Sequence, residues 1–164
     1  MKKIEILFLL FFVFSCTTSE NKDKVETIQE NTQDNKSKDS FINDPRSPNP
    51  SSELAVLMRD MWEYTDTLKT NIVTQNTTAL PDYRSRFAQI HTALPTDEHT
   101  KSPAFDAMAK IMLQKLENVY QNSKKEQSVQ VEGFNLLVKS CLQCHEQQCP
   151  GPVSKISKLM ITKE

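Results

Sequence analysis

The sequence predicts an all-α protein: a four-helix up-down-up-down bundle that follows a disordered N-terminal tether. Only two of the 164 residues are glycine, which disfavours a β-sandwich or barrel with many tight turns. Residues 17–52 contain few large apolar side chains and many charged and amide ones, a composition typical of disorder. Beyond residue 52, apolar side chains recur at spacings of three and four, which is the period of an amphipathic helix.

The first predicted helix begins after Ser51 or Ser52, because serine is a favoured N-cap and Glu53 suits the first turn. We expect it to end at residues 76–78, where the sequence reads Asn-Thr-Thr. Its apolar face consists of Leu54, Leu57, Met58, Met61, Leu68 and Ile72.

Two further helices are bounded by prolines. The second begins near Pro81 and ends before Pro95. The third opens at Ser102-Pro103, an N-cap followed by proline in the first helical position. The apolar positions of the two helices are Leu80, Tyr83, Phe87, Ile90 and Leu94, then Phe105, Met108, Met112, Leu116 and Val119.

The fourth predicted helix follows a polar connection at residues 122–125 and ends before the Pro150-Gly151-Pro152 run. Gly133 weakens this helix locally without forbidding it. One of its faces carries Phe134, Leu137, Val138, Cys141, Cys144 and His145. Four amphipathic helices with short polar connections predict a bundle over residues 51–164, closed by a short amphipathic tail.

The first fifteen residues are predicted to be a bacterial lipoprotein signal peptide. Lys2 and Lys3 precede nine apolar residues, 6–14, and nine are too few to span a bilayer, which takes about 20. The run ends Val-Phe-Ser-Cys at residue 16, which resembles the lipobox of bacterial lipoproteins. That resemblance implies cleavage before Cys16 and lipid attachment to it; a plain signal peptide or a buried apolar helix is the alternative.

Residues 16–50 are accordingly predicted to be a disordered, lipidated linker. Acyl chains on Cys16 would attach the protein to a membrane surface, since each buried CH₂ contributes about 0.8 kcal/mol. We therefore expect a location in the bacterial cell envelope, on its periplasmic or cell-surface side.

One motif carries a definite chemistry: Cys141-Leu142-Gln143-Cys144-His145 is the C-x-x-C-H pattern of covalent c-type haem attachment. On a helix, thiols three residues apart lie on one face and can reach the two vinyl groups of one porphyrin edge. His145 lies four residues after Cys141 and can bind the iron from the same side.

Other chemistries fit the same residues. Cys141, Cys144, His145 and Cys149 form a C-x₂-C-H-x₃-C set that resembles zinc ligands, although adjacent cysteine and histidine suit a tetrahedral site poorly. Two of these thiols could instead form a disulfide in an envelope compartment. A thioredoxin-type redox site is disfavoured, because the expected βαβ pattern is missing from the sequence.

A helical bundle with C-x-x-C-H on its last long helix resembles the cytochrome c′ family, the class II c-type cytochromes. The resemblance covers residues 51–160 and implies that His145 is the proximal iron ligand and that Cys141 and Cys144 form thioethers. The family places a distal residue in an apolar-apolar-Leu/Met-x-x-Met stretch of the first helix. Residues 56–61, Val-Leu-Met-Arg-Asp-Met, match that pattern and imply that Met58 is the distal ligand.

Several residues remain open as alternatives at the iron. Met61 and His91 are rival sixth ligands, and Met58 could equally be core filling, the commoner role of a methionine at helical spacing. His99 is expected to be exposed in a polar loop. Cys149 could lie beside the haem or pair between two chains.

Together these patterns predict a haem-bearing electron carrier with redox partner proteins, and not an enzyme. Whether the chain is a monomer or a homodimer is left open by the sequence. The alternatives are a five-coordinate haem that binds NO or CO, and a haem-free structural lipoprotein. The net charge of −1 provides no basic surface, so no nucleic-acid partner is expected.

Overall fold

The computed structural model describes residues 41–76 and 80–162, and within them the protein is all-α, as predicted. These residues form no β-strand, only an isolated bridge between Ile42 and Ser51. The helices, in chain order, are α1 (Glu53–Val73), α2 (Arg84–Ala88) with a 3₁₀ turn at Gln89–His91, α3 (Pro103–Gln121), α4 (Gln127–Gln148) and α5 (Val153–Ser157).

Two serine caps fix the starts of α1 and α3 where the sequence predicts them. The Ser52 hydroxyl accepts a hydrogen bond from the Ala55 amide at 3.2 Å. The Ser102 hydroxyl accepts one from the Phe105 amide, also at 3.2 Å, and Pro103 occupies the first helical position. Each cap satisfies an amide that would otherwise lack a partner at the helix N-terminus.

The second predicted helix is much shorter than expected. Only Arg84–Ala88 and the 3₁₀ turn are helical, whereas Pro81 lies outside the helix and Leu94 is 48% exposed. The reason is a tertiary contact: the Tyr120 hydroxyl donates to the Pro81 carbonyl at 2.8 Å and accepts from the Tyr83 amide at 2.9 Å. In a helix that began at Pro81, the Pro81 carbonyl would instead accept from the amide of residue 85.

The core lies between the three long helices. The connection between α3 and α4 is short, and α4 also packs on α1 and α5, which makes it the central element. The largest fully buried side chains are Phe87, Phe134, Leu57, Leu68, Ile72, Leu116, Leu137 and Val138. The apolar tail contributes as well, because α5 buries Ile156 and the residues after it bury Leu159.

The last part of the predicted linker packs against α1. Ile42 and Ser51 exchange two backbone hydrogen bonds, at 2.7 and 2.8 Å, which close the intervening segment into a loop. Asp44 in this loop is only 5% exposed, and its carboxylate accepts from Arg46 at 2.9 Å and from Arg59 at 3.0 Å. Residues 42–50 therefore belong with the helical domain, ahead of the boundary at residue 51 that the sequence suggests.

The predicted signal peptide (residues 1–15), Cys16 and the linker up to residue 40 lie outside the described residues. Among the helices of the described ranges, none combines the length and the apolar character that crossing a membrane requires.

Candidate haem site

The C-x-x-C-H motif lies on the last turns of α4. The helix continues to Gln148, so Cys141, Cys144 and His145 keep helical spacing and share one face. All three side chains are partly buried. This placement is the one that the sequence predicts.

Three hollows surround this face, and Met58 and His145 line all of them. The loop-side cleft, of about 240 Å³, is closed by residues 96–100, between the 3₁₀ turn and α3. The α5-side cleft, of about 570 Å³, is closed by residues 151–156. The inner cavity, of about 40 Å³, reaches toward Phe87 and Leu159. A residue of α1 and a residue of α4 thus face the same space.

The two motif cysteines face different hollows. Cys141 lines the inner cavity, and Cys144 lines the loop-side cleft. Met58 and His145 therefore share all three hollows, whereas Cys141 and Cys144 each line one of them.

A main-chain carbonyl orients the ring of His145. Its Nδ1 lies 3.1 Å from the carbonyl oxygen of Cys149. A carbonyl accepts and cannot donate, so this hydrogen bond requires the proton on Nδ1 and leaves the Nε2 lone pair free. A histidine that donates its other ring nitrogen in this way is held ready as a metal ligand.

The end of α4 supplies that carbonyl. The Cys149 amide still donates to the His145 carbonyl at 2.9 Å, but its backbone is no longer helical, with φ −158° and ψ 82°. Pro150 follows and disfavours a helical conformation for the residue before it. The proline that ends the helix thus also turns the Cys149 carbonyl toward the imidazole.

Burial shifts the pKa values of both motif thiols upward. Burial raises the pKa of Cys141 to about 12, and the neighbouring Cys144 adds to the shift. Burial also raises the pKa of Cys144. Because the thiolate is the reactive form, burial lowers the intrinsic reactivity of both thiols in the folded chain.

The described residues contain neither a disulfide nor a cluster of side chains that could bind zinc. Cys141, Cys144 and Cys149 are all free thiols. Within residues 41–76 and 80–162, no three His, Cys, Asp or Glu side chains are placed to hold a metal ion together.

The rival iron ligands lie in less favourable places than Met58. Met61 is 7% exposed and lines only the inner cavity. His91 lines none of the three hollows, and its Nδ1 lies 3.5 Å from an Asp106 carboxylate oxygen. His99 is exposed in the loop before α3.

The sequence did not predict a role at the site for two charged residues, Arg59 and Lys155. Trp62 lines the α5-side cleft and the inner cavity, and the Lys155 ammonium lies 4.2 Å from the centre of its ring. Arg59 and Lys155 both line the α5-side cleft. Helical periodicity indicates which face of α1 is buried, but no local pattern shows that α5 folds back against it.

The lining of the hollows suits a porphyrin. Ligand pockets of about 300–1,000 Å³ with mostly apolar walls and a few placed polar groups are typical of small-molecule sites. The α5-side cleft falls within that range, and the smaller loop-side cleft shares Met58 and His145 with it. Two free thiols one turn apart and an imidazole with Nε2 free are groups that could hold a covalent haem.

Comparisons of the chain with family models, with curated proteins and with solved structures found no match. The functional argument therefore depends on the residues and their geometry.

Proposed function

We propose that this protein binds one c-type haem covalently and carries single electrons at a bacterial cell envelope. In this proposal Cys141 and Cys144 form the two thioether bonds, His145 is the proximal iron ligand and Met58 the distal one. The observation that carries it is the shared lining of the three hollows by Met58, from α1, and His145, from α4. The haem would supply a one-electron iron couple whose potential the axial ligands help to set.

The chain's own residues would hold and tune that group. The Cys149 carbonyl would keep the proton of His145 on Nδ1, which fixes the ring and leaves Nε2 for the iron. Met58 offers a soft thioether, a ligand that favours the reduced iron. Phe87, Ile156 and Leu159 give the inner cavity apolar walls.

We place the chain with the cytochrome c′-like proteins on the same grounds. The helical domain supplies the distal residue from its first helix and the C-x-x-C-H motif from its last long one, as in that family. In this assignment α1, α2 with its 3₁₀ turn, α3 and α4 are the four members of an up-down-up-down bundle. The short α2 and the added α5 are departures from a regular bundle.

Binding of a diatomic gas is the second candidate. A five-coordinate haem would need the distal side free of a ligand, and the apolar lining around Phe87 is compatible with a small apolar guest. The methionine in the walls of all three hollows favours the electron carrier, because it can occupy the sixth position itself.

Covalent attachment is tested by a peroxidase-based haem stain on a denaturing gel. Full-length protein matured in a host that makes c-type cytochromes should stain, and the Cys141→Ala/Cys144→Ala variant should not. A Cys149→Ala variant is the matched control, because it removes a nearby thiol outside the motif and should keep the stain. Colourless wild-type protein would overturn the haem proposal and leave a haem-free structural lipoprotein.

The membrane attachment is proposed from the sequence. We infer that lipid on Cys16 holds the domain at the membrane while the linker lets it reach redox partner proteins, with a homodimer as a further possibility. A Cys16→Ala variant should move from the membrane fraction to the soluble fraction, whereas Cys149→Ala should stay in the membrane fraction. Equal partition of the two variants would contradict the lipid anchor.

A further inference from the structure

The two clefts differ in charge. The α5-side cleft is lined by two cationic side chains, Arg59 and Lys155, and by no carboxylate. The loop-side cleft is lined by the carboxylate of Asp97 and by no lysine or arginine. A ligand that fills both clefts and carries negative groups on one edge should therefore bind with that edge toward the α5-side cleft.

The cations of the α5-side cleft still have unused donors. Arg59 uses only its Nη1, which donates to the Asp44 carboxylate at 3.0 Å and to the Ser51 hydroxyl at 3.1 Å. The Lys155 ammonium forms no ion pair with the described residues and lies over the Trp62 ring instead. Asp44 offsets part of the Arg59 charge, so Lys155 contributes most of the net positive charge of this cleft.

The backbone positions Lys155 for such a role. The Trp62 indole N–H donates to the Lys155 carbonyl at 3.4 Å, which links α1 to α5 beside the cleft. Ile156, the next residue, is 7% exposed and anchors α5 in the core. Lys155 is therefore a flexible side chain on a fixed backbone, beside the space that Met58 and His145 share.

From this asymmetry we propose that Lys155 and Arg59 bind the two porphyrin carboxylates, and so orient the haem with its carboxylate edge toward α5. This inference rests on the proposed function, because it presumes a porphyrin in the clefts. The carboxylates would replace the Trp62 ring as the partner of the Lys155 ammonium and would accept from the free guanidinium N–H groups of Arg59. The loop-side cleft repels them through Asp97, whose carboxylate already accepts from the His99 and Thr100 amides.

The proposal can be tested without haem maturation, because Trp62 is the only tryptophan of the chain and lines the cleft. Full-length Cys141→Ala/Cys144→Ala protein is titrated with iron protoporphyrin IX and with its dimethyl ester, and quenching of Trp62 fluorescence reports binding. The free acid should bind about fivefold more tightly than the ester, the scale of a partly exposed ion pair.

The matched variants are Lys155→Gln and Lys158→Gln in that background. Lys158 is an exposed lysine at the end of α5 that lines neither cleft. The preference for the free acid should fall at least about twofold in Lys155→Gln, where Arg59 still binds one carboxylate, and persist in Lys158→Gln. Equal affinities of acid and ester, the same response in both variants, or no quenching by either porphyrin would overturn the carboxylate site.

Matured holoprotein provides a second readout that separates the two proposals. Removal of a cation beside the haem disfavours the reduced form, so Lys155→Gln should lower the ratio of reduced to oxidised protein at a fixed ambient potential by about two- to fivefold. Lys158→Gln should change it less. If the wild-type band stains for haem but the two variants have identical ratios of reduced to oxidised protein, only the carboxylate site is overturned. If the wild-type band does not stain, covalent haem binding itself is overturned.

Discussion

At the scale of single residues, Met58 and Met61 are adjacent on one face of α1 but have different surroundings. Met61 is buried in the core, whereas Met58 borders every hollow that His145 borders. We predict that Met58→Leu leaves the reduced haem five-coordinate and raises its affinity for carbon monoxide about tenfold or more, because no internal ligand then competes. Leucine is close in volume to methionine, so the fold should tolerate the change at under about 1.5 kcal/mol.

Met61→Leu is the control for this prediction. It makes the same chemical change one turn further along α1, at a position that lines only the inner cavity. Its visible spectrum and carbon monoxide titration should match those of wild type. If the wild-type protein binds carbon monoxide as readily as Met58→Leu, Met58 is not a ligand and the gas-binding candidate gains support.

A second residue-scale prediction concerns the buried carboxylate of Asp44. Its hydrogen bonds with Arg46, and then the one with Arg59, lower its pKa from 3.8 to about 2. A carboxyl group whose pKa falls on folding stabilises the protein above its unfolded pKa, and that contribution is lost as the pH falls through the folded pKa. The stability difference between wild type and Asp44→Asn should therefore be full above about pH 4 and shrink toward pH 2.

Urea unfolding midpoints measured at several pH values test this. Asp66→Asn is the control, because Asp66 is an exposed carboxylate on α1 outside any ion pair with the described residues. The difference in unfolding midpoint between Asp66→Asn and wild type should be small and should not shrink over the same pH interval. A pH-independent difference for Asp44→Asn would show that the Arg46 and Arg59 contacts do not hold this loop.

At the scale of helices and loops, local signals and tertiary contacts determined different parts of the fold. The starts of α1 and α3 could be predicted because a serine cap acts on amides three residues away. The length of α2 could not, because Tyr120 of α3 takes the backbone groups of Pro81 and Tyr83. The packing of residues 42–50 was missed for the same reason, since it depends on an ion pair between Asp44 and Arg59.

The candidate site likewise contains some residues that the sequence predicts and others that only tertiary contacts identify. Cys141, Cys144 and His145 lie within one helical turn or so, and their spacing alone predicts their common face. Met58 was indicated by a family pattern in the first helix and lines a cleft together with Cys144 and His145. Lys155 and the Cys149 carbonyl could not be found from the sequence, because their roles depend on where the chain turns after Pro150.

A prediction at this scale concerns Gly133 within α4. A Cβ atom at this position would lie 3.3 Å from Nδ2 of Asn122, so the amide must move by a few tenths of an ångström. Alanine in a helix interior is worth up to about 1 kcal/mol over glycine, and the adjustment should leave roughly 0.5 kcal/mol of stabilisation in Gly133→Ala. Chemical denaturation should show a higher midpoint with an unchanged slope.

The Gly133→Ala/Asn122→Ala double variant tests the stated reason. The free energy of unfolding of the double variant should exceed that of Asn122→Ala by about 1 kcal/mol, nearly the full helix-propensity difference between alanine and glycine. The reason is that the Asn122 amide no longer lies against the added methyl group. A destabilised Gly133→Ala that the second substitution does not rescue would mean that another contact excludes the side chain.

At the scale of the whole domain, α4 links the stability of the fold to the site. It packs on α3 along its length, while its last turns and the tail after it face the hollows beside α1. The half of the domain formed by α3 and the first part of α4 has a continuous core of side chains such as Phe134 and Leu116. The other half contains the three hollows lined by Met58 and His145, where a porphyrin would add contacts, so the two halves should depend on haem to different degrees.

That difference leads to a prediction for haem removal. Full-length protein without haem, made as Cys141→Ala/Cys144→Ala, should melt at a lower temperature than the matured protein, because empty apolar space forfeits packing contacts. Hydrogen exchange should locate the loss: amides of α5 and of the last turns of α4 should exchange at least about tenfold faster, whereas those around Leu116 and Phe134 should change little. Cys149→Ala, which keeps the haem, is the control for loss of a nearby thiol and should exchange like wild type. If protection falls equally over both halves, the porphyrin is not filling the space between α1, α4 and α5 and its proposed position is wrong.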